Sequence, residues 1–570
     1  MPRKFPLLPF LASLALPAAA SAQDNSAQYF STRQPAAAVP VVLAADERSR
    51  AREAFAALRA NDWARVESLL AQGVGVLDPV VRAELYLHPE SPRVGLDQIA
   101  NWMPQGRRLP YAERLNALAV SRGSQEGFIL PRERRLEPRG YAPKRILPRG
   151  TGDGTISSEM SNAILDRIKN DDPDGARLLL DGIDATLSTD ARAEWRQRVA
   201  WSYYIENMDA QALAMAQSVY DGTGPWVAEG AWVGGLAAWR LGDCLTAGSN
   251  FEESARRASN PELQAAAYYW ASRATIRCRR PGRAAELLRG AAVLDNTLYG
   301  MLALEQLGQA QPDRFGRTDF NGEDWREIGG LPEVQMAIAL SEIGEEDIAG
   351  EVLRHLSGVV DGDNFNAISR LARGLGLPGT QLWLAHRAPR GADPEPAAQF
   401  PVARWQPVGG WRVDPALAYA HALQESNFQR GVVSGAGATG LMQIMPIAAR
   451  EYGPSLGMNN PDLRDASVNL AFGQRALEVL SESRGTQGKL PKIMAAYNAG
   501  LTPVTRWEGE VRDQGDALLY MESIPYWETR GYVAIVTRNY WMYERQANAP
   551  SPSRRALSEN KWPMFPRVQR

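Results

Sequence analysis

The stretch HALQESNFQRGVVSGAGATGLMQIMP, residues 421–446, decides how the chain is read. It carries one carboxylic acid, Glu425, and the next acid along the chain is Glu451. Just upstream, Asp414-Pro415 is a helix start: an N-cap residue followed by proline at the first helical position. The helix runs through ALAYAHALQE and ends near Ser426-Asn427. Glu425 therefore lies in its last turn, where the negative end of the helix dipole disfavours a carboxylate. Neighbouring apolar groups act in the same direction by desolvation. Both effects raise a carboxyl pKa and suit it to general-acid work near neutral pH. Ser434 to Gly440, SGAGATG, holds three glycines and two alanines. Such a run lets backbone come close to a ligand or another segment, and its plainer reading is a flexible loop. Pro446 then opens another helix.

No metal set accompanies the glutamate. His421, one helical turn before Glu425, is read as packed or solvated. His88, His355 and His386 are scattered and form no ligand cluster, so no metal and no cofactor is expected.

The remaining sequence sets the frame. Over 570 residues the hydrophobic fraction is 45% and the net charge −2. Most of the chain should bury a core, and nucleic acid is not an expected partner. Arg3 and Lys4 precede an apolar run from Phe5 to Leu16, and Ala20-Ser21-Ala22 offers a small-x-small cleavage site before Gln23. Residues 1–22 are read as a signal peptide cleaved after Ala22. The apolar run is too short, and too interrupted by Pro6 and Pro9, to span a membrane comfortably. No later stretch reads as transmembrane. Cys244 and Cys278 are the two cysteines; in an exported chain they suggest one disulfide. Closing roughly 34 residues would contribute about 3–4 kcal/mol in the chain-entropy model. The alternative is two buried thiols.

From about residue 45 to 390 the pattern is helical and repetitive. Ala51, Ala54, Phe55 and Leu58 form one stripe, Asn61-Asp62 breaks it, and Val66, Leu69 and Leu70 form the next. Pro173-Asp174-Gly175, Gly242-Asp243 and Pro281-Gly282 punctuate similar pairs. No rigid period emerges, but stacked helix pairs would each bury an apolar stripe on the next. Strand signals are nearly absent. Residues 131–154 read as a basic, solvated connection rather than a docking patch for an anionic polymer. Residues 388–410 are rich in Pro, Gly and Ala and read as a linker. From about Asn548 the chain reads as a poorly packed tail.

Two further stretches complete a pattern with the opening one. AAYNAG spans 495–500, and MESIPYWETRGYV spans 521–533. Together with ALQESNF…SGAGATGLMQIMP they resemble the catalytic core of the soluble lytic transglycosylases, over about residues 410–545. The resemblance implies a mostly α fold: an N-terminal superhelix of helix hairpins, then a goose-lysozyme-like, α-rich catalytic domain. It organises the chain as 23–390 superhelix, 391–410 linker, 411–547 catalytic domain and 548–570 tail. It puts Glu425 on the catalytic acid/base and Tyr497 on the tyrosine that steadies the sugar. Ser434 falls on a position that binds sugar polar groups, and Gln443 and Met445 on positions lining the saccharide cleft. Glu522 falls on an acidic residue associated with stem-peptide or sugar contact. One departure is visible: members often continue the tyrosine motif with Pro-Gly, whereas this chain has Leu501-Thr502 and then Pro503.

Glycoside hydrolysis usually takes two carboxylates, and no local motif marks Glu451, Asp462 or Asp465 as a partner. The resemblance implies a reaction that needs one. The substrate would be peptidoglycan glycan strands, cut between MurNAc and GlcNAc in the periplasm, with 1,6-anhydro-MurNAc as product. Cell-wall synthesis or secretion complexes are further candidate partners. The alternatives are a hydrolytic muramidase on the same fold and a non-catalytic peptidoglycan-binding scaffold. Tyr526 and Trp527 are the aromatics best placed for sugar stacking. Tyr520, Tyr532, Tyr540, Trp541 and Tyr543 read as core of the final helix.

Overall fold

The structure is a computed structural model that describes residues 24–31, 39–312, 316 and 319–567. The signal-peptide reading lies outside the described residues. The fold is mostly α, as the sequence predicts: the described residues form 28 α-helices and one two-stranded ladder. Among the described residues, no helix is long and apolar enough to cross a membrane.

The helices pair through a recurring turn. At Asn61, Asp171, Asn207, Gly242 and Arg279 the backbone takes a positive φ, between 56° and 81°. The next residue's N–H then reaches back five residues: Asp62 to Ala57, Asp172 to Arg167, Met208 to Tyr203, Asp243 to Ala238 and Arg280 to Thr275. This satisfies carbonyls left open at the helix end. In three of these turns the same residue caps the following helix. The side chains of Asp62, Asp172 and Asp243 accept from Arg65, Gly175 and Thr246 N–H. Asn-Asp, Asp-Asp and Gly-Asp are thus the working punctuation of these three turns. Pro173-Asp174-Gly175 is not a breaker: Pro173 opens the Pro173–Asp181 helix, and the break falls at Asn170–Asp172.

The stack does not run in a line. One apolar core joins residues 43–119 to residues 320–392. A second joins helices between Ile164 and Ala303 to residues 397–557. The chain therefore folds back on itself. Glu342 clasps the first segment: its carboxylate accepts from Val42 N (2.7 Å), Leu43 N (3.3 Å) and Arg48 (2.9 Å). Arg59 pairs with Glu345 at 2.7 Å.

Three segments differ from their sequence reading, and backbone hydrogen bonding is the reason. Residues 131–154 form a strap. Leu136–Pro138 pairs antiparallel with Arg387–Pro389, Arg139 donates to Pro389 and Ala392 O, and Arg145 pairs with Glu229 at 2.6 Å. Arg134, Arg139 and Arg145 meet partners inside the molecule, while Arg132 and Arg135 stay exposed. The 391–410 region is bound rather than free: Phe400, Val402 and Ala403 are buried, and the Pro401 and Ala403 carbonyls accept from Tyr543 and Tyr419. Residues 548–567 are packed as well. The Pro552–Ser558 helix buries Leu557, Leu490 N–H donates to Pro563 O, and Trp562 donates to Gly515 O.

Cys244 and Cys278 form a disulfide with Cα atoms 5.6 Å apart. It ties the start of the Cys244–Arg257 helix to the end of the Pro261–Arg277 helix.

Candidate active site

Glu425 sits in the last turn of the Pro415–Ser426 helix, whose other face is buried. Asp414 caps this helix by accepting from Ala416 N (3.0 Å) and also receives hydroxyls from Ser26 (2.7 Å) and Tyr540 (2.8 Å). The cap therefore fixes the helix against two other helices. Asn427 and Phe428 then take positive φ and turn the chain outward.

The Glu425 carboxylate opens into a cavity of about 350 Å³. Gln424, Asn498, Trp527, Glu528 and Tyr532 stand around it. Tyr532 donates to Glu425 Oε1 at 2.6 Å. Burial pushes the Glu425 carboxyl up to about 7; the Tyr532 hydrogen bond opposes this and the Glu528 charge adds to it. Such a group is protonated at rest near neutral pH and can also accept a proton, as general acid–base work requires. Under the carboxylate lies His421, fully buried, with neither ring nitrogen hydrogen-bonded. Its ring meets Tyr497 at 4.8 Å and Tyr532 at 5.9 Å, both near right angles. Burial drives this imidazole down to about 3, so it is neutral.

Tyr497 belongs to the Leu490–Ala499 helix and donates to Met442 O at 2.7 Å. It thereby locks the small-residue loop beside the acid helix. Ser434 closes that loop: its Oγ accepts from Ala438 N at 3.0 Å. Gln443, at φ 47°, spends its amide on Gly440 O (2.9 Å) and Val432 O (3.3 Å). Met445 is 38% exposed, at the start of the Pro446–Leu456 helix. Gly440 (φ +80°) is required by packing as well as by backbone: a Cβ there would strike Asn469 and the Leu463 carbonyl. So Gly440 serves the loop's own tight fold.

Glu522 lies elsewhere. It lines a second cavity, about 180 Å³, between the superhelix and the C-terminal helices, where Tyr299 donates to it at 2.7 Å. Trp527, Gly531 and Ile535 line both cavities. The structure thus brings Glu425 and Tyr497 together around His421, gathers Ser434, Gln443 and Met445 on the adjoining loop, and sets Glu522 in the neighbouring cavity. Sequence reasoning missed Tyr532 as a site residue, having assigned it to core. It is buried, but its hydroxyl reaches the acid. Its place in ETRGYV, four residues after Glu528 on one helix face, was the available signal.

Comparison with known proteins finds likenesses in sequence and in fold. Residues 407–520 match the family model of the transglycosylase SLT domain. The match lies in the C-terminal part of the chain. Its relatives include the soluble lytic murein transglycosylase of Escherichia coli K12, 35% identical over 159 residues. That match covers 27% of this chain and about a quarter (24%) of the relative's length. The Salmonella typhimurium counterpart is 33% identical over 160 residues, 27% of this chain and 24% of that protein. Among solved structures, the 70 kDa soluble lytic transglycosylase of Escherichia coli superposes with a TM-score of 0.54. The superposition covers 91% of this chain and 99% of that one at 16% identity, a likeness of fold. An inactive glutamate-to-glutamine mutant of lytic transglycosylase Slt from Pseudomonas aeruginosa gives 0.52 at 18% identity, covering 89% and 87%.

Proposed function

We propose that the chain is a lytic transglycosylase that cuts the MurNAc–GlcNAc β-1,4 bond of peptidoglycan and leaves 1,6-anhydro-MurNAc ends. The observation that carries this reading is a single half-buried carboxyl, held near 7, beside a tyrosine donor in an open cavity. Glu425 gives its proton to the glycosidic oxygen as the C1–O bond breaks. The MurNAc acetamido oxygen bonds to C1 and carries the developing positive charge. Glu425, now ionised, takes the proton of the same sugar's C6 hydroxyl, whose oxygen attacks C1 and displaces the acetamide. The acid is regenerated and no water is consumed. Intramolecular attack gains from proximity and dispenses with a positioned water.

In this reading Tyr532 orients the carboxyl, and Tyr497 steadies both the sugar and the loop. Ser434, Gln443 and Met445 form the cleft edge, and Glu522 meets the stem peptide or a sugar substituent. Export to the periplasm, with the signal peptide removed after Ala22, would put the enzyme beside its substrate.

A second reading has one observation behind it. Glu528 lines the same cavity as Glu425, and a second carboxylate is what a hydrolytic muramidase would use. Product mass from purified sacculi separates the two, since the anhydro product is one water lighter. Glu425→Gln should lower release of anhydro-muropeptides by at least about a hundredfold, on the scale of general acid–base catalysis. Normal release by that variant would remove Glu425 from the mechanism. Hydrated products, lost on Glu528→Gln, would favour the muramidase.

A further inference from the structure

The Trp527–Gln546 helix begins at the boundary between the two cavities. Trp527, Gly531 and Ile535 follow one another at four-residue steps, so they share one helix face. Trp527 is 37% exposed, although most aromatics of the C-terminal helices are buried. One ring contact fixes it from behind. The Arg530 guanidinium lies 4.8 Å from the Trp527 ring centroid and 3.9 Å from that of Trp201. Trp201 belongs to the Thr189–Ile205 helix of the superhelix. The three side chains form a stack that crosses from the superhelix to the edge of the Glu425 cavity.

Gly531 is the second observation. Glycine is a poor helix former, yet it stands inside this helix, and a Cβ there would meet nothing within 4 Å. No packing constraint explains it. A helical side chain covers the surface one turn toward the N-terminus, so any larger residue at 531 would lie over the Trp527 turn. Glycine leaves that surface open. An uncovered indole beside an acid suits the C–H face of a pyranose ring, whose partial positive charge meets the negative face of the aromatic system.

We propose that Trp527 is the platform on which a glycan pyranose ring stacks beside Glu425, that Gly531 keeps it uncovered, and that Trp201 positions it through Arg530. The proposal rests on the glycan-cleaving reading for the identity of the ring. It makes the superhelix a contributor to sugar affinity at the cleft itself.

The test uses the full chain carrying Glu425→Gln and an oligosaccharide of β-1,4-linked N-acetylglucosamine as probe, followed by calorimetry. Adding Trp527→Ala should weaken binding about tenfold. Adding Gly531→Leu should weaken it as much with the indole still present, and Gly531→Ala should raise the melting temperature while changing affinity less than threefold. Unchanged affinity in both the Trp527→Ala and Gly531→Leu variants, or no binding of the probe to the Glu425→Gln chain, overturns the platform. In the otherwise native enzyme, Trp201→Leu should raise KM for glycan strands severalfold with kcat nearly unchanged, and Trp201→Phe should restore it. A fall in kcat at constant KM overturns the positioning role. Normal activity of Glu425→Gln alongside weakened binding in Trp527→Ala would sink the acid assignment and leave the platform standing.

Discussion

At Glu425 three influences act on one proton: burial and the Glu528 charge hold it on, and the Tyr532 hydroxyl stabilises its departure. Tyr532→Phe removes the only opposing influence, so the carboxyl should stay protonated to higher pH. The alkaline limb of the rate profile should then move upward, with less than about tenfold loss at pH 6, the scale of one lost hydrogen bond. Glu528→Gln should move the same limb downward. A limb that stays put in both variants would mean that another group sets it. His421 makes a separate prediction. Its folded pKa, about 3, lies below the ordinary 6.5. Between those values the unfolded chain binds a proton that the folded chain refuses, so its contribution to stability is lost as pH falls from 6.5 toward 3. The full loss is on the order of 5 kcal/mol. Glu425 works oppositely: its raised pKa makes stability fall as pH rises from 4.5 to 7. The melting temperature of His421→Leu relative to the native chain should therefore climb as pH drops from 6.5 to 4. A constant difference would rule out the neutral, unpartnered imidazole. Glu425 was legible in the sequence as the candidate acid because helix start, loop and motif all lie within a few residues of it. Tyr532 was not, since it comes from 107 residues away and only packing reveals whether a helical tyrosine points to core or cleft.

Among elements, the helix hairpins were legible because their turn chemistry is local. An αL residue and a capping Asp leave their mark in two adjacent letters. The strap at 131–154 was not, because its partners are distant: Arg139 reaches Ala392, and Arg145 reaches Glu229. Proline, glycine and arginine describe a solvated loop and an anchored one equally well. The packed 548–567 segment misled for the same reason. The Cys244–Cys278 bridge joins helices that already pack side by side, so its contribution is mainly on the unfolded chain. Replacing both cysteines with serine should lower stability by about 3–4 kcal/mol and leave kcat within about twofold. A large kcat loss would mean that the bridge also sets the geometry of the Trp201–Arg530 stack.

At the scale of the whole molecule the described residues form two large cores and one small cluster around Val219 and Trp226. The helices that carry Glu425 and Tyr532 share theirs with helices from Ile164 to Ala303, while residues 43–119 share the other with residues 320–392. The clasp at Glu342 belongs to the core of residues 43–119 and 320–392. Glu342→Ala leaves the Val42 and Leu43 amides without their acceptor and Arg48 with only the Leu43 carbonyl, at a cost of about 1–3 kcal/mol. Hydrogen exchange should quicken in residues 41–58 and leave the Glu425 region unaffected. Equal quickening in both would show that the cores unfold as one. Sequence periodicity forecast stacked helices but not this return, because periodicity records which face is apolar and not which distant face covers it. The return also dictates an order of events as the chain is made. The apolar stripes of residues 43–119 find their cover only after residue 320 has emerged, more than two hundred residues later. Until then the first helices stay partly bare and open to aggregation, and closure waits on the slow search that long-range contacts impose.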